Sequence, residues 1–203
     1  MEHLARAKAP RSWIYHLMAE GMSFKVTVAL RASRVEKWIR DVKREFLDAA
    51  PTKCVGLDYE FTDPREGDQH AAVLQLSVAT ETLVFQICWA DELPQVLKEF
   101  LPDGNIRFYD AAIGKDMQIL SPYGIIITYV FDLQKILRNP TNKPTPSLYD
   151  LANSTIGTNL EKKKRKKYKK KDAAEEKEDE QIFGWANVPL SYASLGFEMS
   201  RRH

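Results

Sequence analysis

Cys54-Val55-Gly56-Leu57-Asp58-Tyr59-Glu60-Phe61 reads as a β-strand, since β-branched and aromatic residues recur in it on the two-residue period of an extended chain. On that period Asp58 and Glu60 point to one face, and Leu57, Tyr59 and Phe61 to the other. Two carboxylates side by side on an otherwise apolar strand repel. They either stand at a wet end of the sheet or share a cation. Hard divalent ions such as Mg²⁺ and Mn²⁺ take carboxylate oxygens, and two ions roughly 4 Å apart need acids converging from several elements. Taken alone, Asp-x-Glu fits a solvated sheet face better than a metal site.

Outward from this strand, Ala72–Ala79 and Thr82–Trp89 are two apolar runs joined by Thr80 and Glu81, a hairpin pair that makes three successive strands antiparallel. Upstream, Phe24–Leu30 alternates as a strand. A helix follows to Ala50, opened by a Ser33/Glu36 capping box, with Val35, Trp38, Ile39, Val42 and Phe46 on one side. Residues 1–22 form an N-terminal extension with no clear period, and Trp13–Met18 suits a short helix. Downstream, Asp91 or Glu92 caps a helix through Leu101, with Leu93, Val96, Leu97 and Phe100 as its stripe. Then come a strand over Ile106–Ile113, a short helix over Lys115–Leu120, a strand over Ile125–Phe131 and a helical turn over Asp132–Leu137. A helix capped by Ser147 and stopped at Gly157 precedes Ile182–Pro189 and a last helical stretch from Ser191. A hairpin set followed by alternating strands and helices specifies an α/β class, a mixed sheet flanked by helices.

The composition bounds what such a domain does. The chain has 203 residues, 44% apolar and 29% charged, which fits one globular domain and excludes wholesale disorder. Two cysteines are too few for a disulfide scaffold or a Cys-rich zinc module, and both Cys54 and Cys88 fall in expected strands as core thiols. No stretch approaches the roughly 20 apolar residues that cross a bilayer, so a soluble, intracellular protein is the expectation. His3, His16, His70 and His203 are scattered, without the spacing of metal ligands or of an acid–base pair.

The formal net charge of +2 conceals a local excess. Residues 161–180 hold 10 Lys or Arg and 7 Asp or Glu, leaving 20 basic and 21 acidic residues elsewhere. Lys162, Lys163, Lys164, Arg165, Lys166, Lys167, Lys169, Lys170 and Lys171 are interrupted only by Tyr168, and an acidic block follows. So dense a run does not enter a core. It suits a surface loop, a nuclear-import signal, or an arm that binds phosphates by releasing counterions.

The order of segments carries more than any one of them. Val55–Glu60 is followed by Leu74-Gln75-Leu76-Ser77, Leu83-Val84-Phe85-Gln86, Gly114-Lys115-Asp116-Met117, Val130-Phe131-Asp132-Leu133 and Ser147-Leu148-Tyr149-Asp150-Leu151-Ala152. This series resembles the Werner-type 3′-5′ exonuclease domain of the DEDD superfamily, particularly its small plant members, over most of residues 23–203. The resemblance implies a ribonuclease H-like fold, with a charged insertion at 161–180. It implies that Asp58, Glu60 and Asp116 hold two Mg²⁺ or Mn²⁺ ions at the 3′ end of DNA or RNA, for hydrolysis of the terminal phosphodiester. Without it, Asp116 reads as an acid favoured by the dipole of a helix first turn.

The family's third motif, Tyr-x-x-x-Asp on a helix, puts the tyrosine and the acid on one face, where the Tyr positions the water. Here Tyr192 is followed four residues later by Gly196, which has no ligand to offer. Glu198, six residues after Tyr192, lies about 240° further around a helix. The flanks match on both sides as though roughly three helical turns were missing. The expectation is a nucleic-acid-binding exonuclease-like protein with weak or no catalysis, in the nucleus or cytoplasm. The alternative is a non-catalytic subunit or antagonist that assembles with an intact relative or with itself.

Overall fold

The computed structural model describes residues 12–19, 22–62, 71–111, 120–157 and 197–198. β1 (Ser12–Ala19), β2 (Met22–Ala29) and α1 (Ala32–Val42) lead to β3 (Lys53–Phe61). β4 (Ala71–Val78), β5 (Glu81–Phe85), α2 (Gln95–Phe100) and β6 (Ile106–Asp110) follow. β7 (Val130–Asp132), α3 (Leu133–Ile136) and α4 (Leu148–Ile156) complete the described elements. The strands form one seven-stranded sheet in the order β1-β2-β5-β4-β3-β6-β7. The run β3-β4-β5 is antiparallel, whereas β2 with β5, β3 with β6, and β6 with β7 are parallel. This is the expected mixed sheet with helices.

The alternation on β3 organises the core. Register pairs Leu57 with Leu76 and Leu76 with Leu83, and these join Leu74 and Phe85 under Val35, Trp38, Ile39 and Val42 of α1 and Leu97 and Phe100 of α2. Each such side chain removed from water stabilises the fold by roughly 1.5–3 kcal/mol. The other face is more polar around β3. Asp58 pairs with Gln75 and Glu60 with Val73, and further along Val26, Val28, Val73 and Val84 cluster under Trp13, Tyr15 and Leu17.

That second cluster explains the largest correction. Trp13–Met18 is not a helix but part of β1, antiparallel to β2, with Trp13, Tyr15 and Leu17 inward and Ile14 and Met18 44% and 70% exposed. Six residues do not separate the two periods, and the neighbouring strand decides. Helix α1 starts at Ala32 with Arg31 as N-cap, so the Ser33/Glu36 capping box does not form. Asp91 Oδ1 instead accepts the Ala32 N–H at 2.9 Å, a cap from a distant residue. Asp91 is thereby spent on α1, and α2 begins after Pro94 without a side-chain cap.

The hairpin turns at Ala79 and Thr80 rather than at Thr80 and Glu81, since Val78 pairs with Glu81. Strand β5 stops at Phe85, and a 3₁₀ turn over Ile87–Trp89 leaves Cys88 exposed, contrary to its reading as a core thiol. Cys54 is buried as expected. Of Ile125–Phe131 only Val130 and Phe131 enter a strand, and within Ile106–Ile113 the strand spans Ile106–Asp110, with residues 112–113 outside the described ones. Ile125 and Ile127 are buried but the segment is extended beside the sheet rather than laddered into it, with Tyr129 C=O accepting from Phe108 N–H at 2.9 Å. Ser147 as the cap of α4, and Gly157 at φ +74° as its stop, are as read from the sequence, and Asp150 completes a capping box with Ser147 that the sequence reading did not assign. The Lys115–Leu120 helix (save Leu120), the Ile182–Pro189 segment and the start of the last helix lie outside the described residues.

Candidate functional site

Strand β3 runs through the middle of the sheet between β4 and β6, and its burial falls off toward its C-terminal end. Val55 and Leu57 are 0% and 1% exposed, whereas Asp58 and Glu60 are half-buried. The two carboxylates stand at this end, on the face away from α1. Gln75 of β4 lies directly opposite Asp58 and its Nε2 amide donates to Asp58 Oδ2 at 3.3 Å. Burial is the main reason the Asp58 carboxyl is pushed up from 3.8 to about 7, and the charge of Glu60 adds to it. A hydrogen bond from the backbone at Tyr59 opposes both.

These two residues satisfy the donor chemistry of a hard divalent cation. They offer carboxylate oxygens on one face, and the charge of Glu60 raises the cost of ionising Asp58, a cost that a bound cation offsets. Asp116 and Tyr192 lie outside the described residues, as do the nine cations from Lys162 to Lys171. Among the described residues, no three His, Cys, Asp or Glu side chains gather as a metal cluster. The structure therefore brings Asp58 and Glu60 together and says nothing of the others.

Two more acids stand at strand ends near this site, in structural employment. Asp110, 7% exposed, accepts the Ala111 N–H at 2.6 Å and follows directly on Tyr109, where the β3–β6 ladder ends opposite Gly56. Asp132 caps α3 by accepting the Gln134 N–H at 3.0 Å. A cavity of about 880 Å³ lies at the opposite end of β3, bounded by Cys54, Arg107, Tyr109, Phe131 and Phe197 among others, away from the paired carboxylates. Gln75 is the site residue that the sequence reading did not assign. The sequence shows only a lone amide two positions before Ser77 in the run Ala71–Val78; its burial and its partner come from the register with β3.

The chain belongs to the 3′-5′ exonuclease domain family, whose model matches residues 32–194. A comparison with curated proteins finds no match. Among solved structures, the exonuclease domain of Aedes aegypti Nibbler is similar at 12% identity and a TM-score of 0.53, over 86% of this chain and 81% of that one. Trypanosoma brucei RNase D is similar at 15% identity and a TM-score of 0.55, over 87% of this chain and 64% of that one. The catalytic core of RRP6 from Trypanosoma brucei is similar at 15% identity and a TM-score of 0.56, over 87% and 46%. At such identities the likeness is one of fold.

Proposed function

We propose that this domain acts on the 3′ ends of nucleic acids, with Asp58, Glu60 and Asp116 as ligands for Mg²⁺ or Mn²⁺ and with catalysis weakened at position 196. The observation that carries the reading is the Asp58–Glu60 pair, half-buried on one face of β3 in a chain of the 3′-5′ exonuclease family. Bound there, divalent ions would supply charge neutralisation at the scissile phosphate and an activated water. The protein's own part is positioning. Asp58 and Glu60 present their oxygens from a strand laddered to β4 at both positions and to β6 up to Gly56, and Gln75 engages Asp58. Tyr192 would orient the attacking water.

Gly196 has no side-chain oxygen at the position four after Tyr192, so a carboxylate partner for the tyrosine in holding the water would be missing. Errors of about 1 Å in such placement cost about 10²-fold in rate. Lys162–Lys171 would hold the phosphates of the strand, and the same tract suits import into the nucleus. Residues 23–203 form the exonuclease-like domain in this reading, with 1–22 as an extension and 161–180 as an insertion.

A 5′-labelled single strand and a duplex, each incubated with Mg²⁺ or Mn²⁺, test the proposal. Slow stepwise shortening from the 3′ end, lost in Asp58→Ala, supports it. Shortening that survives Asp58→Ala, or an absence of both binding and shortening, overturns it.

A further inference from the structure

Gln75 is 2% exposed in a strand whose other residues are apolar except Ser77. A leucine or valine would serve the core as well, because burying an amide costs free energy unless it is hydrogen-bonded. The two buried polar side chains of β4 find different partners. Ser77 Oγ lies 3.0 Å from Thr82 Oγ1, an exchange between β4 and β5, whereas Gln75 Nε2 turns to β3 and donates to Asp58 Oδ2. A carboxyl at the end of a short side chain still rotates about its last bond, and a donor fixed in the sheet removes that freedom.

We propose that Gln75 is a positioning residue that holds the Asp58 carboxylate in the orientation that receives a divalent cation. The inference rests on the reading of Asp58 as a metal ligand. Partners of this kind, one step behind a ligand, typically contribute 10–100-fold in metal affinity. Gln75 acts through Asp58 and touches neither substrate nor metal, so its removal matters only while Asp58 is present.

Mn²⁺ titrated into the full chain, with free Mn²⁺ read from its electron paramagnetic resonance signal, separates the possibilities. Gln75→Met removes the amide at similar volume. Gln75→Asn keeps an amide but draws it back by about 1.5 Å, out of reach of Asp58. Each is expected to weaken Mn²⁺ binding about tenfold or more, while Ser77→Ala, which also empties a buried polar position on the same face, leaves it unchanged. In an Asp58→Asn background, Gln75→Met is expected to have no further effect on Mn²⁺ binding. Gln75 variants that bind Mn²⁺ like the parent, or that lose as much affinity without Asp58 as with it, overturn the inference alone. Failure of the parent to bind Mn²⁺, or an Asp58→Asn protein that binds it undiminished, overturns the metal reading and the inference with it. The thermal midpoint of each variant in chelator identifies any loss caused by unfolding.

Discussion

Asp58→Asn in metal-free solution probes the electrostatics of the site without any assay of catalysis. An aspartate with an ordinary pKa of 3.8 in the unfolded chain and about 7 in the fold binds, between those values, a proton that the unfolded chain has released. Stability therefore falls as the pH rises from about 4 to about 7, and the loss is complete above the folded value. At roughly 1.4 kcal/mol per pKa unit, the charged Asp58 costs the metal-free fold about 4 kcal/mol at most. Asparagine carries no charge and still offers an oxygen to Gln75. Urea unfolding in EDTA is expected to show Asp58→Asn more stable than the parent at pH 8, by about 2–4 kcal/mol, with the advantage shrinking to near zero at pH 4. Added Mn²⁺ is expected to reverse the order, since it stabilises the parent and leaves the variant as it was. An Asp58→Asn protein no more stable than the parent at pH 8 in EDTA, or an advantage that does not change with pH, refutes the reasoning.

Replacing the nine cations of Lys162–Lys171 with serine is expected to weaken single-strand binding and to flatten its salt dependence, by up to about 6 in the slope of log K against log salt; a slope unchanged in filter-binding titrations refutes a phosphate-binding arm. Cys88 is expected to react with a thiol reagent in the native state, and Cys54 only on unfolding, because the first is exposed and the second buried; mass spectrometry of labelled peptides reads the difference. Asp91→Ala should cost about 1 kcal/mol by uncapping α1, whereas Ser33→Ala should cost little; equal costs in urea unfolding would return the cap to Ser33.

What was legible in the sequence follows from the range of the interactions involved. The strand holding Asp58 and Glu60, the hairpin that succeeds it and the Ser147 cap of α4 are set by neighbours a few residues away, and all three are found. Features decided at a distance were not. Asp91 takes the N-cap of α1 from 59 residues along the chain, which no local pattern of Ser33 and Glu36 reveals. Trp13–Met18 takes the strand state because β2 stands ready to pair with it. Cys88 reads as a continuation of β5, yet the chain turns after Phe85. For the site, the alternation of β3 is enough to set its two acids on one face. The amide that Gln75 brings to Asp58 depends on the register between β3 and β4, which the residues alone leave unspecified.

Diffraction from a crystal soaked in Mn²⁺, with data collected at the manganese edge, tests the central claim most directly. The account expects an anomalous peak within about 2.5 Å of oxygens from both Asp58 and Glu60. Manganese bound elsewhere, with those two carboxylates engaged only by protein groups or water, would contradict it.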